Sequence, residues 1–298
     1  MKPNRVLILG GSGMLGHKLI QVLGDRFDTY YTIRGKFAAV EHYGFFERER
    51  TLERVDANEF SSVRSAVESI RPDVVLNAIG IIKQLPSSKN VVQTLTINSI
   101  FPHLVADLAQ ELGFRFITLS TDCVFSGSKG NYSENDTPDA TDLYGRSKQF
   151  GEVTGTNCLT IRTSIIGREL GTTHSLIEWF LSQNGSVNGY SNAIYSGFPT
   201  IVLADLLGNI IEEQPDLTGL YHLSSDPISK FALLELVKKR IGLNIAIVGA
   251  PEFRVDRSLD SSTFRSLTGF SPLPWAEMVD RMFDDPAPYD EWRKPASI

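Results

Sequence analysis

Val6-Leu7-Ile8-Leu9 is an unbroken apolar run, which reads as a parallel strand buried on both faces. Glycines follow from Gly10 to Gly16, and then Leu19, Ile20, Val22 and Leu23 recur at helical period. The chain therefore opens on a strand, a glycine turn and a helix. Thr29 to Ile33 reads as a second strand ending at Arg34-Gly35, and Arg54-Val55-Asp56 as the end of a short third one. A helix is expected over Glu59 to Ile70, a fourth strand at Val74-Val75-Leu76, a long helix over Val91 to Leu112 and a fifth strand over Phe114 to Leu119. A sixth strand, Leu159 to Gly167, follows. Further helices are expected over Ser175 to Gln183, Pro199 to Ile211 and, capped by Ser229, Phe231 to Ile241; Gly219 to Leu223 reads as a strand returning to the main sheet. Alternation of strand and helix predicts an α/β fold with a parallel sheet.

The glycine turn carries the first chemistry. One glycine turns the chain tightly, one lets backbone N–H groups approach a pyrophosphate, and one lets the helix press on the strand. Gly11-x-Gly13-x-x-Gly16 and the wider Gly10-x-x-Gly13-x-x-Gly16 both fit, and either makes Gly10, Ser12, Gly13, Met14 and Leu15 a dinucleotide phosphate loop at a helix N-terminus. At the end of the second strand, an acidic residue would bind a ribose 2′-hydroxyl; Arg34 suits a 2′-phosphate and predicts NADP(H). Such a charge-assisted contact contributes about 1.5–3 kcal/mol. Lys36 to Arg54, with Phe37, Tyr43, Phe45 and Phe46 among charges, is a loop or irregular helix on the adenosine side. Asp56-Ala57 is a candidate adenine contact, with a helix cap as the equal alternative. Asn77-Ala78-Ile79-Gly80 puts small residues where the fourth strand leaves the sheet, so a coenzyme ribose can lie against backbone.

Composition narrows the partners. The 298 residues are 42% hydrophobic and 21% charged, and the net charge of −6 leaves no basic block for nucleic acid. No apolar run approaches membrane-spanning length and no signal peptide is read at Met1 to Arg5, so a cytoplasmic location is expected. Cys123 and Cys158 match no disulfide framework or metal spacing, and the five histidines form no zinc-type pair.

The reactive groups cluster later. The fifth strand exits as Ser120-Thr121-Asp122-Cys123-Val124-Phe125, and Tyr144-Gly145-Arg146-Ser147-Lys148 follows. On a helix, Tyr144 and Lys148 share a face. An ammonium beside a phenol lowers its pKa from about 10 and suits Tyr144 to acid–base work, with the Thr121 hydroxyl completing a carbonyl site. Lys83 faces the same region or solvent.

The order of glycine turn, small-residue strand end, Ser-Thr strand end and Tyr-x-x-x-Lys resembles the extended short-chain dehydrogenase/reductase superfamily. Within it, Gly10 to Gly16, Ser-Thr-Asp-x-Val-Phe-x-Gly at Ser120 to Gly127, Tyr144 to Lys148 and Arg162-Thr163-Ser164 are similar to the dTDP-4-dehydrorhamnose reductase-like subfamily. The resemblance implies a Rossmann-type doubly wound sheet and a smaller C-terminal α/β substrate-binding region. Its bounds would be a coenzyme domain over 1–165, with a strand and helix returning from about 198–225, a substrate region over 166–285 and an irregular tail over 286–298. It implies a triad of Thr121, Tyr144 and Lys148 reducing a nucleotide-linked 4-keto-6-deoxy sugar, with Ser120, Tyr144 and Lys148 touching coenzyme and Thr121, Asp122, Ser164 and Arg257 touching substrate. A structural ion pair is the competing role for Arg257. A homodimer through Val91 to Leu112 and Tyr144 to Thr154 is also implied.

Two positions depart from that subfamily: Cys123 replaces its usual Tyr, and Ile165-Ile166-Gly167-Arg168-Glu169-Leu170 lacks its Trp. The sugar and the nucleotide base are therefore open, UDP- as well as dTDP-linked. A nucleotide-sugar epimerase or dehydratase, for which Asp122 would be the acid, and an NADP-binding regulatory subunit resembling that of methionine adenosyltransferase are the alternatives; Arg34 and the intact triad favour the reductase. Some reductases of this type use magnesium at a subunit contact, but no matching acidic residues are identified, and no metal is expected.

Overall fold

The computed structural model describes residues 4–83 and 86–292. In chain order its first strands are β1 (Arg5–Leu9), β2 (Asp28–Thr32), β3 (Thr51–Leu52), β4 (Val74–Asn77), β5 (Arg115–Thr121) and β6 (Cys158–Thr163). With the later strand Gly219–His222 they form a parallel seven-stranded sheet, ordered 219–222, β6, β5, β4, β1, β2, β3. The strand order reverses between β1 and β4, which is the ligand crevice of a doubly wound sheet. Along β1, Val6 and Ile8 enter the core on one face and Leu7 and Leu9 the core on the other. This period of two explains why the run had to be apolar throughout.

The helices are α1 (Gly16–Leu23), α2 (Phe60–Ile70), α3 (Val91–Leu95), α4 (Phe101–Leu112) and α5 (Leu143–Phe150). The single long helix expected over Val91 to Leu112 is continuous but carries a π turn at Thr96–Ile100 between α3 and α4. Pro102 has no N–H for the carbonyl four residues earlier, that of Asn98, and the ladder slips there.

Three other boundaries move. The third strand lies at Thr51–Leu52, ahead of Arg54-Val55-Asp56, because Arg54 turns into the left-handed region at φ 60 and ends the pairing. The sixth strand divides at Ser164: Ile165–Ile166 leaves the main sheet and pairs in parallel with Phe198–Pro199. The helix expected over Ser175 to Gln183 spans Leu176–Leu181, with Ser175 as its cap.

Beyond Ser164, Asn192–Tyr195 sits between Ile228–Ser229 and Arg254–Asp256 in a small sheet, and Ser186–Gly189 pairs with Ala246–Gly249. Helix Thr200–Glu213 returns to the main sheet and packs on α1, where Arg26 bonds Asn209 (2.9 Å) and Glu212. Among the described residues, no helix is long and apolar enough to cross a membrane.

The segment expected to be an irregular tail is ordered over 286–292; residues 293–298 lie outside the described residues. Tyr289–Trp292 forms a helical turn, with Tyr289 buried. Trp292 rests on Tyr43 and Phe45, ring centroids 5.2 and 5.7 Å away, so the mixed segment Lys36 to Arg54 is a seat for the chain's C-terminal part. Lys18 of α1 forms a buried ion pair with Asp285. His17 joins the same contact: Nδ1 lies 2.9 Å from the Gly13 carbonyl and Nε2 2.7 Å from the Tyr289 hydroxyl. A carbonyl can only accept, so Nδ1 carries the hydrogen and Nε2 accepts from the phenol.

Burial, chiefly, lowers the pKa of His17 from 6.5 to about 4. Between these values the unfolded chain binds a proton that the folded chain does not, so stability present above pH 6.5 is lost as the pH falls towards 4. We expect unfolding by denaturant to show His17 contributing a loss of about 2 kcal/mol between pH 7 and 5. His222, also lowered by burial, acts in the same sense. His17→Gln should reduce the pH slope; an unchanged slope would show that His17 does not set it.

Candidate active site

The crevice at the strand reversal is floored by the glycine loop. Gly10 sits at φ +87, its N–H bonded to the Thr32 hydroxyl (3.0 Å), and Gly11 N–H reaches the Thr32 carbonyl (2.8 Å). A Cβ on Gly16 would lie 2.1 Å from the Gly10 carbonyl oxygen, so only glycine lets α1 start so close to β1. Ser12 is exposed, Gly13 and Met14 are half-buried and Leu15 is buried, which leaves the loop open at the N-terminus of α1. Arg34 is exposed just beyond β2. Arg54, whose N–H bonds the Gly35 carbonyl at 3.0 Å, brings a second guanidinium to that strand end, with Lys36 nearby. Sequence reading placed Arg54 in a strand and missed it here; only its left-handed turn brings it back. Asp56 is half-buried and one oxygen accepts from the Asn58 backbone (2.9 Å) and side chain (2.8 Å), which is a turn-stabilising role; Ala57 beside it is buried.

On the other side of the crevice, Asn77 gives its amide to the Thr118 hydroxyl (3.1 Å) and accepts from Ile79 N–H (3.0 Å), fixing the turn through Ala78, Ile79 and Gly80. The turn is then clamped by Asn98, in the π turn. Its Oδ1 accepts from Ile81 N–H at 2.8 Å and its Nδ2 donates to the Ile81 carbonyl and to the Ser147 hydroxyl. Ser147 lies between Tyr144 and Lys148. One amide thus connects the β4 exit to α5.

Helix α5 starts at Asp142, whose carboxylate accepts from Gly145 N–H and pairs with Lys83 at 3.0 Å; Lys83 is an ion-pair partner at the helix cap. Gly145 has no Cβ to strike the Cys123 carbonyl, which would be 2.2 Å away. The helix therefore lies directly on the segment leaving β5. Thr121 ends β5, accepts from Cys123 N–H (3.1 Å) and donates to Asp122 (3.1 Å), and its hydroxyl is hydrogen-bonded with the Tyr144 phenol. Lys148 donates to the Leu119 carbonyl at 2.7 Å.

The electrostatics differ from the expected lysine-lowered phenol. Burial, then the neighbouring Cys123, raise the pKa of Tyr144 above the ordinary phenol value, against the Thr121 hydrogen bond. Tyr144 therefore holds its proton at neutral pH. Burial lowers Lys148 to about 8, opposed by the charge of Glu152. Burial also raises Asp122, opposed by Cys123, Arg257, Thr121 and Ser164, and pushes the Cys123 thiol to about 12, so it is not a thiolate nucleophile.

Arg257 is brought to this site: it donates to the Phe125 carbonyl at 2.8 Å, and its charge acts on Asp122. Ser120 is directed elsewhere, its hydroxyl donating to Glu152 at 2.6 Å. Two more residues were missed by sequence reading. Glu152, just past the end of α5, pairs with Arg162, and no sequence spacing signals that pair. Tyr195 is buried with a hydroxyl that has no hydrogen-bond partner among the described residues, and no sequence signal places it near Asp122. No group of three or more His, Cys, Asp or Glu that could hold a metal ion occurs among the described residues.

The model of the RmlD substrate binding domain family matches residues 4–287. The chain is 24% identical to a dTDP-4-dehydrorhamnose reductase of Aggregatibacter actinomycetemcomitans, over 91% of this chain and 95% of that protein. It is 26% identical to the spore coat polysaccharide biosynthesis protein SpsK of Bacillus subtilis strain 168, over 92% and 95% respectively. Among solved structures, the dTDP-4-dehydrorhamnose reductase of Bacillus anthracis in complex with NADP superposes with a TM-score of 0.78 at 22% identity, covering 96% of this chain and all of that one. That likeness establishes the shared doubly wound fold.

Proposed function

The chain belongs to the RmlD substrate binding domain family, and on that basis we propose that it is an NADPH-dependent reductase of a nucleotide-linked 4-keto-6-deoxy sugar, acting in surface-polysaccharide biosynthesis. The observation that carries the reading is the placement of the Tyr144 phenol beside Thr121, with Lys148 one turn further along the same helix. Reduction of a ketone needs a proton donor at the oxygen, and a phenol that is protonated at neutral pH can be that donor. The open glycine loop and the cations at Arg34 and Arg54 fit a dinucleotide with a 2′-phosphate. NADPH bound there would supply the hydride to C4 of the sugar.

The residues divide the remaining work. Tyr144 gives its proton to the C4 oxygen as the carbonyl becomes a hydroxyl. Thr121 holds that oxygen in line with the phenol. Lys148 contributes its charge beneath the phenol and a donor for the coenzyme ribose, and the backbone from Asn77 to Gly80 forms the wall against which that ribose lies. Ser164 and Arg257 face the sugar nucleotide from the C-terminal side. Asp122 is bonded to Thr121 and interacts with Ser164 and Arg257, which leaves its carboxyl engaged and supports a reductase over a dehydratase.

The enzyme pairs with a second copy through the helices around the site. Ile100, 52% exposed, and Phe150, 59% exposed, lie on the π turn and at the end of α5, the two helices through which the copies would meet.

Three outcomes test the reading. Tyr144→Phe should remove turnover on dTDP- and UDP-linked 4-keto-6-deoxy sugars, followed by NADPH consumption and product mass, while NADPH binding is kept; wild-type rates would refute the proton donor. Arg34→Asp should shift selectivity from NADPH towards NADH by about tenfold to a hundredfold in the ratio of kcat/KM values; unchanged selectivity would show that Arg34 does not meet the phosphate. Phe150→Asp should shift the mass in sedimentation from dimer to monomer, and a monomeric wild type would remove this part of the proposal.

A further inference from the structure

The C-terminal region displays an exposed aromatic pair that the proposed reaction does not use. Tyr190, 36% exposed, and Phe253, 50% exposed, have ring centroids 5.2 Å apart and planes tilted by 58°. The two loops that carry them are tied to each other: the Gly189 carbonyl accepts from Ala250 N–H at 2.9 Å, and the Asn192 amide donates to the Pro251 carbonyl at 2.7 Å. The Tyr190 carbonyl accepts from Phe231 N–H at 3.3 Å as well. The rings are thus held at the surface by the backbone on both sides. From there, strands Asn192–Tyr195 and Arg254–Asp256 run in parallel towards the catalytic residues, with Arg254 opposite Asn192 and Asp256 opposite Ile194. Arg257 N–H continues the ladder to the Ile194 carbonyl at 3.0 Å.

We propose that Tyr190 and Phe253 form the platform on which the base of the sugar nucleotide stacks. The inference rests on the reading of the site as one for a nucleotide-linked sugar, and it adds the place where the nucleoside end is held. Alternate residues of a strand share a face, so Phe253, Val255 and Arg257 point the same way. That face lies over the segment leaving β5: a Cβ on Gly127 would stand 2.3 Å from Val255 Cγ2 and 3.1 Å from Arg257 Cγ. Arg257 Nε donates to the Phe125 carbonyl at 2.8 Å, which leaves both Nη groups without a protein acceptor among the described residues and suits them to a diphosphate. From Arg257 back to Phe253 the extended backbone covers about 13 Å, room for a ribose between a diphosphate at one end and a base at the other. A base is flat and uncharged, so an aromatic face serves it where a cation serves the phosphates. Glu252 and Arg254, both exposed on either side of Phe253, balance each other's charge and leave the patch apolar.

The test is calorimetric titration of the full-length, NADPH-loaded protein with dTDP and with UDP, which carry the base and the diphosphate without the sugar. Phe253→Ala and Tyr190→Ala, both at exposed positions, should each weaken the better-bound nucleotide by about fivefold to a hundredfold. Phe253→Trp should restore the affinity, and Val248→Ser, which removes another exposed apolar side chain, should leave it unchanged. NADPH affinity should stay at the wild-type value in all four. With a sugar nucleotide that turns over, the alanine variants should raise KM and leave kcat unaltered, the mark of binding shared by ground and transition state. Nucleotide affinity unchanged in both alanine variants would overturn the inference and leave the proposed function standing. A lower mass in sedimentation with nucleotide affinity intact would make the pair a subunit contact and overturn it too. Weakened nucleotide binding in the variants, with no sugar reduced by the wild type, would uphold the base platform and count against the reductase. A wild type that binds neither nucleotide would overturn both.

Discussion

The site depends on one buried amide. Asn98 satisfies both backbone groups of Ile81 and the hydroxyl of Ser147, and so joins the turn after β4 to the middle of α5. A buried backbone N–H without a partner costs about 1–3 kcal/mol, so the β4 exit cannot relax away from Asn98 without loss. The π turn is what aims that side chain. With Pro102 unable to serve the Asn98 carbonyl, the carbonyl projects towards Gly151, where a Cβ would stand 1.9 Å from it, and α5 can end close against the long helix. A sequence-level irregularity in one helix thus sets the placement of Tyr144 and Lys148 on another.

Two opposite consequences of burial meet on α5. Desolvation disfavours the charged form of either residue, so it raises the phenol and lowers the amine. The two residues have different charged neighbours: Cys123, Asp122 and Asp142 oppose a phenolate at Tyr144, while the charge of Glu152 favours an ammonium at Lys148. The result is a proton held on the phenol above a charge held on the lysine. That division suits protonation of a substrate oxygen better than its deprotonation, and it follows from packing rather than from a direct lysine–tyrosine interaction.

Much of this was legible in the chain. The β1 run, the glycine turn and the small residues after β4 belong to local patterns with local causes, and they led to the doubly wound sheet and its crevice. The Tyr144 and Lys148 spacing placed both on one helix face. What was not legible depended on distant segments. Arg54 reaches the Arg34 corner only because its backbone turns left-handed, and Ser120 turns to Glu152 only because β6 brings Arg162 alongside. The direction of the Tyr144 shift required the depth of the site, which no spacing encodes. Tyr195 comes near Asp122 through a small sheet formed by strands separated widely in sequence.

The same dependence on distance explains why the segment around Tyr289 belongs to the coenzyme half of the molecule despite lying at the far end of the sequence. Its phenol reaches His17, and His17 reaches the Gly13 carbonyl inside the glycine loop. Lys18, on the next position of α1, is neutralised by Asp285 from the same segment. An α-helix that receives a phosphate at its N-terminus must be held rigidly at its first turns, because the attraction falls off within one turn. Burying a lysine and a histidine there would be destabilising without partners, and the chain supplies both partners from 285–289. The aromatic seat at Tyr43 and Phe45 then has a clear physical purpose: by holding Trp292 it keeps those partners against α1.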